Sequence, residues 1–129
     1  MKSRSLILPG LLLALATLPF AAQAGEGDWK RGRIYYRMVC TACHTQKGGS
    51  IAPSKYTKAE WAAYIKSDKH AKGKDSLKYY WSKSYRDSIK ASNKAAEKFA
   101  DLTDQELMDD LKSFVEYGAK DGEKPASCS

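Results

Sequence analysis

Histidine is nearly missing from this chain of 129 residues: His44 and His70 are the only two. Cysteine stops at three residues, and methionine at three. With so few donors a zinc site is hard to assemble. The Cys40–Cys43 pair would need a second ligand pair, and only His70 and Cys128 remain. No βαβ pattern surrounds the pair, which argues against a thioredoxin-like redox module. No segment alternates as a strand does, and no repeat is visible, so the fold class expected is all-α. Past the N-terminal residues, no apolar run approaches the roughly 20 residues that a membrane helix needs. No second histidine beyond His70 and no obvious acid–base pair point to catalysis, and an enzyme is not expected.

What is present begins with an address. Met1–Ser5 is basic, an apolar run reaches Leu18, and Phe20–Ala24 closes it with small residues. This is the pattern of a secretory signal peptide over residues 1–24. Cleavage after Ala24 leaves one domain, 25–129, with a flexible tail expected over 118–129. The expected location is the periplasm or another extracytoplasmic space, with no membrane span in the mature form. The formal net charge is +7. From Lys47 to Lys98 basic residues outnumber acidic ones by more than two to one, and from Phe99 onward the ratio reverses. Such a surface keeps a protein soluble and steers it toward an acidic partner. An exported protein rarely meets nucleic acid, which is set aside as a partner. Cys128 is an odd thiol in an oxidising compartment. It is open to an intermolecular bond, a capped thiol or a tolerated tail residue.

Local signals place the helices. Asp28 can cap a helix carrying Trp29, Ile34, Tyr35, Met38 and Val39. Thr57–Glu60 and Thr103–Glu106 read as capping boxes. The first opens a helix with Trp61, Tyr64 and Ile65 on one face. The second opens a helix with Leu107, Leu111, Phe114 and Val115 inward and Gly118 as its stop. Gln46–Ser54, with Gly48, Gly49 and Pro53, is loop chemistry, as is Lys69–Lys74. Leu77–Ile89 is read as a helix or an ordered aromatic loop, and Ala91–Phe99 as a short helix.

Cys40-Thr41-Ala42-Cys43-His44 is the C-x-x-C-H attachment sequence of haem c. Two thiols at this spacing reach the two vinyl groups on one porphyrin edge. The following histidine, His44, is then placed to ligate the iron from the proximal side. One covalent haem is expected.

Here the chain resembles the small, class I-like cytochromes c. Gly32 and Tyr36 match the family's glycine and aromatic of the N-terminal helix, and Leu111 and Phe114 its Leu-x-x-aromatic pair of the last helix. The resemblance implies a single cytochrome c-like domain wrapped around the haem, with these two helices crossing closely at the glycine. It also implies that the Pro53 carbonyl accepts the second ring N–H of His44. The middle of the chain departs from the family. Asn93–Leu102, where the resemblance places a methionine ligand, holds none.

His70 is the first candidate for the distal iron ligand, because neutral imidazole is the commonest metal ligand. Met108 is the second, although its place in the last helix suits a residue at the edge of the core. An open or water-bound sixth position is the third. Tyr79, Tyr80, Trp81 and Tyr85 suit a distal core. Of these, Tyr80 and Trp81 are haem-pocket candidates, reaching a propionate whose charge a lysine or Arg86 would offset. The function expected is one-electron transport between redox proteins. The alternatives are a haem enzyme or gas-binding protein with an open iron site, and a subunit of a multi-chain haem assembly.

Overall fold

The structure is a computed structural model that describes residues 26–41, 51–71 and 73–126. Residues 1–24, expected to be a signal peptide, and Gly48, Gly49, Cys43, His44 and Cys128 lie outside the described residues. Among the described residues there are four α-helices: α1 Trp29–Tyr35, α2 Lys58–Ser67, α3 Lys83–Ile89 and α4 Asp104–Tyr117. Three short 3-10 segments, Pro53–Lys55, Lys78–Trp81 and Lys94–Phe99, link them, and α1 runs on into a π-helical turn over Tyr36–Cys40. Among the described residues there is no strand, only an isolated bridge between Lys69 and Ser76. The all-α expectation holds.

Local chemistry starts each helix. The Lys30 and Arg31 amides donate to the Asp28 carboxylate at 2.9 and 3.2 Å. Both capping boxes form: the Glu60 amide donates to Thr57 Oγ1, and the Thr57 amide to Glu60 Oε2. Thr103 and Glu106 repeat the pattern on α4. Each box satisfies two amides that the first turn leaves without helical partners.

The frame is the crossing of α1 and α4. A Cβ on Gly32 would lie 2.1 Å from the Asp110 carbonyl oxygen, so only a glycine lets the backbones approach this far. Asp110, 1% exposed, accepts the Asp28 amide at 2.7 Å and Arg31 Nη2 at 3.1 Å, and also receives Arg31 Nε. A buried carboxylate is costly unless bonded in this way. Trp29 stacks on Tyr117 at 4.2 Å between centroids, and Tyr36 packs on Phe114 at 5.4 Å.

Two apolar clusters flank the crossing. Tyr35, Val39, Leu77, Trp81, Phe99, Leu107 and Leu111 form one, and Trp61, Phe114, Val115 and Ala119 the other. Tyr64 and Ile65 touch both.

The stretch from Gly118, expected as a flexible tail, is tied down as far as Ala126. The Lys120 amide donates to the Tyr56 carbonyl at 2.9 Å, and the Ser54 amide to Ala126 at 3.2 Å. Asp121 accepts the Lys58 amide at 2.8 Å. The polar sequence was a poor guide because the partners lie across the fold, on segment 54–58.

Candidate haem site

The attachment motif begins where α1 widens. Thr41 N–H reaches back to the Tyr36 carbonyl, a span of five residues. π-turns of this kind recur at functional sites. The Asn93 carboxamide donates to the Met38 carbonyl at 2.9 Å, and the Thr41 hydroxyl to the Arg37 carbonyl. Cys40 closes the turn, half-buried, and packs against the Tyr35–Trp81–Leu111 cluster. Cys43 and His44 follow outside the described residues.

His70 sits in a loop closed at its base. Asp68 takes a left-handed conformation (φ 53°) that ends α2. Its carbonyl accepts the Leu77 amide at 3.1 Å and its carboxylate the Lys78 amide at 2.8 Å. The Gly73 amide folds back on the His70 carbonyl at 3.2 Å. The His70 ring is half-buried and lies 4.8 Å from the Tyr80 ring, tilted by 47°.

Tyr80 is the link to the attachment helix. Its carbonyl accepts the Tyr35 hydroxyl at 2.7 Å. Tyr35 is fully buried, meets Phe99 edge-on and lies five residues before Cys40. Burial pushes the Tyr35 phenol far above its ordinary range. The phenol therefore stays protonated and stays a donor. Tyr79, Tyr80 and Tyr85 form a triangle of rings 5.3 to 5.6 Å apart. Trp81 is buried in the cluster that Cys40 touches, and Met108 packs at the edge of the same cluster.

The structure thus packs Cys40 against the cluster that holds Tyr35 and Trp81, and links His70 to that cluster through the Tyr80 ring and the Tyr35–Tyr80 hydrogen bond. It gives Met108 a packing role. One expectation changes. Arg86 is 2% exposed, and its guanidinium donates to the Phe99 and Leu102 carbonyls, to Ser82 and to Asp104. It clamps the chain between α3 and α4 and is not available to a propionate. The Pro53 carbonyl accepts the Trp61 indole N–H at 2.7 Å and the Tyr56 amide at 3.4 Å. Trp61 and Tyr56 thus share the carbonyl that the resemblance gives to His44, which itself lies outside the described residues. Tyr35 and Gly73 were missed as site residues. Tyr35's place, one helical turn and a little more before Cys40, was the one available signal.

The donors suit haem c: a half-buried thiol at the lip of an apolar, aromatic-lined cluster, and an imidazole held half-buried on a tyrosine ring. Among the described residues no group of three or more His, Cys, Asp and Glu could hold a metal ion. The family model described as cytochrome c matches residues 29–118. No curated protein and no solved structure matches the chain.

Proposed function

The chain belongs to the cytochrome c family, haem-binding electron carriers, and from that premise we propose that it is an extracytoplasmic monohaem carrier with two histidine ligands. Cys40 and Cys43 hold the haem covalently, His44 is the proximal ligand and His70 the distal one. When bound, haem c supplies an iron that passes between ferric and ferrous states. The chain's own residues do the rest. Tyr35, Val39, Trp81, Phe99 and Leu111 keep water from the attachment edge. Tyr35 holds the Tyr80 backbone to α1 and so holds the His70 loop beside the attachment helix. Two axial residues on a packed scaffold leave little to rearrange when charge changes, which suits rapid transfer.

The observation that carries this reading is the connection from Cys40 through Tyr35 and Tyr80 to His70. Around the His70 loop, Lys66, Lys69, Lys74 and Lys78 are exposed. They support docking of an acidic redox partner through a small, transient contact. Among the described residues no helix is long and apolar enough to cross a membrane. Secretion through residues 1–24 remains part of the proposal.

Optical spectra of the holoprotein, with and without carbon monoxide, test it. A six-coordinate low-spin spectrum that carbon monoxide leaves unchanged on the time of mixing is expected. A high-spin spectrum that shifts at once would overturn the carrier reading in favour of a gas-binding or peroxidatic site.

A further inference from the structure

A loop histidine makes a poor axial ligand unless something holds its ring. The 69–76 loop is polar, and Lys69, Ala71, Lys74, Asp75 and Ser76 are exposed. A free imidazole there would sample many rotamers, and each excursion would leave the iron uncovered.

Two contacts restrict this ring. The first is Gly73. A Cβ built on it would come within 2.8 Å of His70 Nδ1, 2.9 Å of His70 Cγ and 2.6 Å of the Tyr80 hydroxyl. Glycine therefore lets the loop close directly onto the Nδ1 edge of the imidazole, and Nδ1 is buried from solvent. The φ of Gly73 lies outside the left-handed region, so the backbone does not demand glycine. The space does. The second contact is the Tyr80 ring, 4.8 Å from the imidazole centroid. Tyr80 is itself held at its carbonyl by Tyr35 and at its ring by Tyr79 and Tyr85.

We propose that Gly73 and Tyr80 are positioning residues that hold the His70 imidazole with its Nδ1 edge packed inward, leaving Nε2 as the iron-binding nitrogen. This rests on the reading of His70 as the distal ligand. Without a Cβ at position 73 the loop packs on the Nδ1 edge, and Nδ1 is buried from solvent, which makes Nε2 the nitrogen this proposal gives to iron. A ring held in this way would stay close to the iron it ligates.

The experiment compares holoproteins of the wild type, His70→Ala, Gly73→Ala, Tyr80→Leu and Tyr80→Phe. Two signals are read: the rate of carbon monoxide binding to ferrous protein, and the g-values of the ferric low-spin resonance, which follow the orientation of the axial imidazole plane. His70→Ala should be high-spin and bind carbon monoxide without delay, and added imidazole should restore the low-spin form. Gly73→Ala and Tyr80→Leu should stay low-spin, with shifted g-values and carbon monoxide binding about five- to tenfold faster, as expected for losing one aromatic or packing contact. Tyr80→Phe keeps the ring face and should stay within about twofold of wild type.

If His70→Ala remains low-spin, the ligand assignment beneath the proposal fails. If His70→Ala frees the iron while Gly73→Ala and Tyr80→Leu keep wild-type g-values and rates, the ligand stands and the positioning role is wrong. Should Tyr80→Leu fail to fold, Gly73→Ala decides alone. It displaces the ring without straining the backbone.

Discussion

The α1–α4 crossing and the His70 loop are held together by different means. At the crossing, backbone meets backbone: Gly32 lies against the Asp110 carbonyl, and the buried Asp110 carboxylate ties both ends of the contact. Such a joint has no slack, and any added atom must move a helix. At the loop, a side chain is held by a side chain: His70 rests between Gly73 and Tyr80, and its neighbours can yield. The first region sets stability, and in the proposed function the second sets what reaches the iron.

Substitutions should separate the two. The largest effect is expected from Gly32→Ala, which places a Cβ 2.1 Å from a main-chain oxygen. It should cost about 3 kcal/mol or more in thermal unfolding of the holoprotein, at the top of the overpacking range. Asp110→Ala should follow at about 2 kcal/mol, because the Asp28 amide and the Arg31 guanidinium lose the buried carboxylate that accepts from them. If either variant unfolds like wild type, the crossing is not the frame described.

Tyr35→Phe lies between the regions. It removes the hydrogen bond to the Tyr80 carbonyl and should cost about 1 kcal/mol at neutral pH. Its pH signature is more telling. The folded phenol is held above the ordinary value of 10.0, chiefly by burial. Stability from this group is therefore complete below that value. It is lost as pH rises above it, where the unfolded phenol ionises and the folded one does not. Alkaline unfolding curves should show less loss of stability for Tyr35→Phe than for wild type. Equal slopes would place the Tyr35 hydroxyl in water.

Gly73→Ala should have the smallest effect on stability, under about 1 kcal/mol, since a less flexible unfolded chain offsets the displaced ring. Its effect on the iron should still exceed that of Asp110→Ala. A thermal melt beside a carbon monoxide trace checks both. The reverse ranking would erase the distinction between the regions.

Much of the first region was legible in the sequence. Asp28, the two capping boxes, Gly32, and the Leu111 and Phe114 pair each carry a local signal, and each does locally what its pattern implies. Asp110 was not legible, because its partners are some 80 positions away. The second region was legible only as a list of suitable residues. His70 stood out through scarcity, and Tyr80 and Trp81 through clustering. Their arrangement depends on Tyr35, whose hydroxyl crosses 45 positions to Tyr80. Arg86 shows the same limit from the other side. As an exposed cation it suited a propionate, yet it is buried among the carbonyls of Phe99 and Leu102 and beside Asp104. The fold uses it to tie these carbonyls to Asp104 across the chain.

The account turns on His70, and the absorption spectrum of the ferric His70→Ala holoprotein tests it most directly. The expected result is a high-spin spectrum that returns to low-spin when imidazole is added. A spectrum that stays low-spin without imidazole would contradict the account and place the distal ligand elsewhere in the chain.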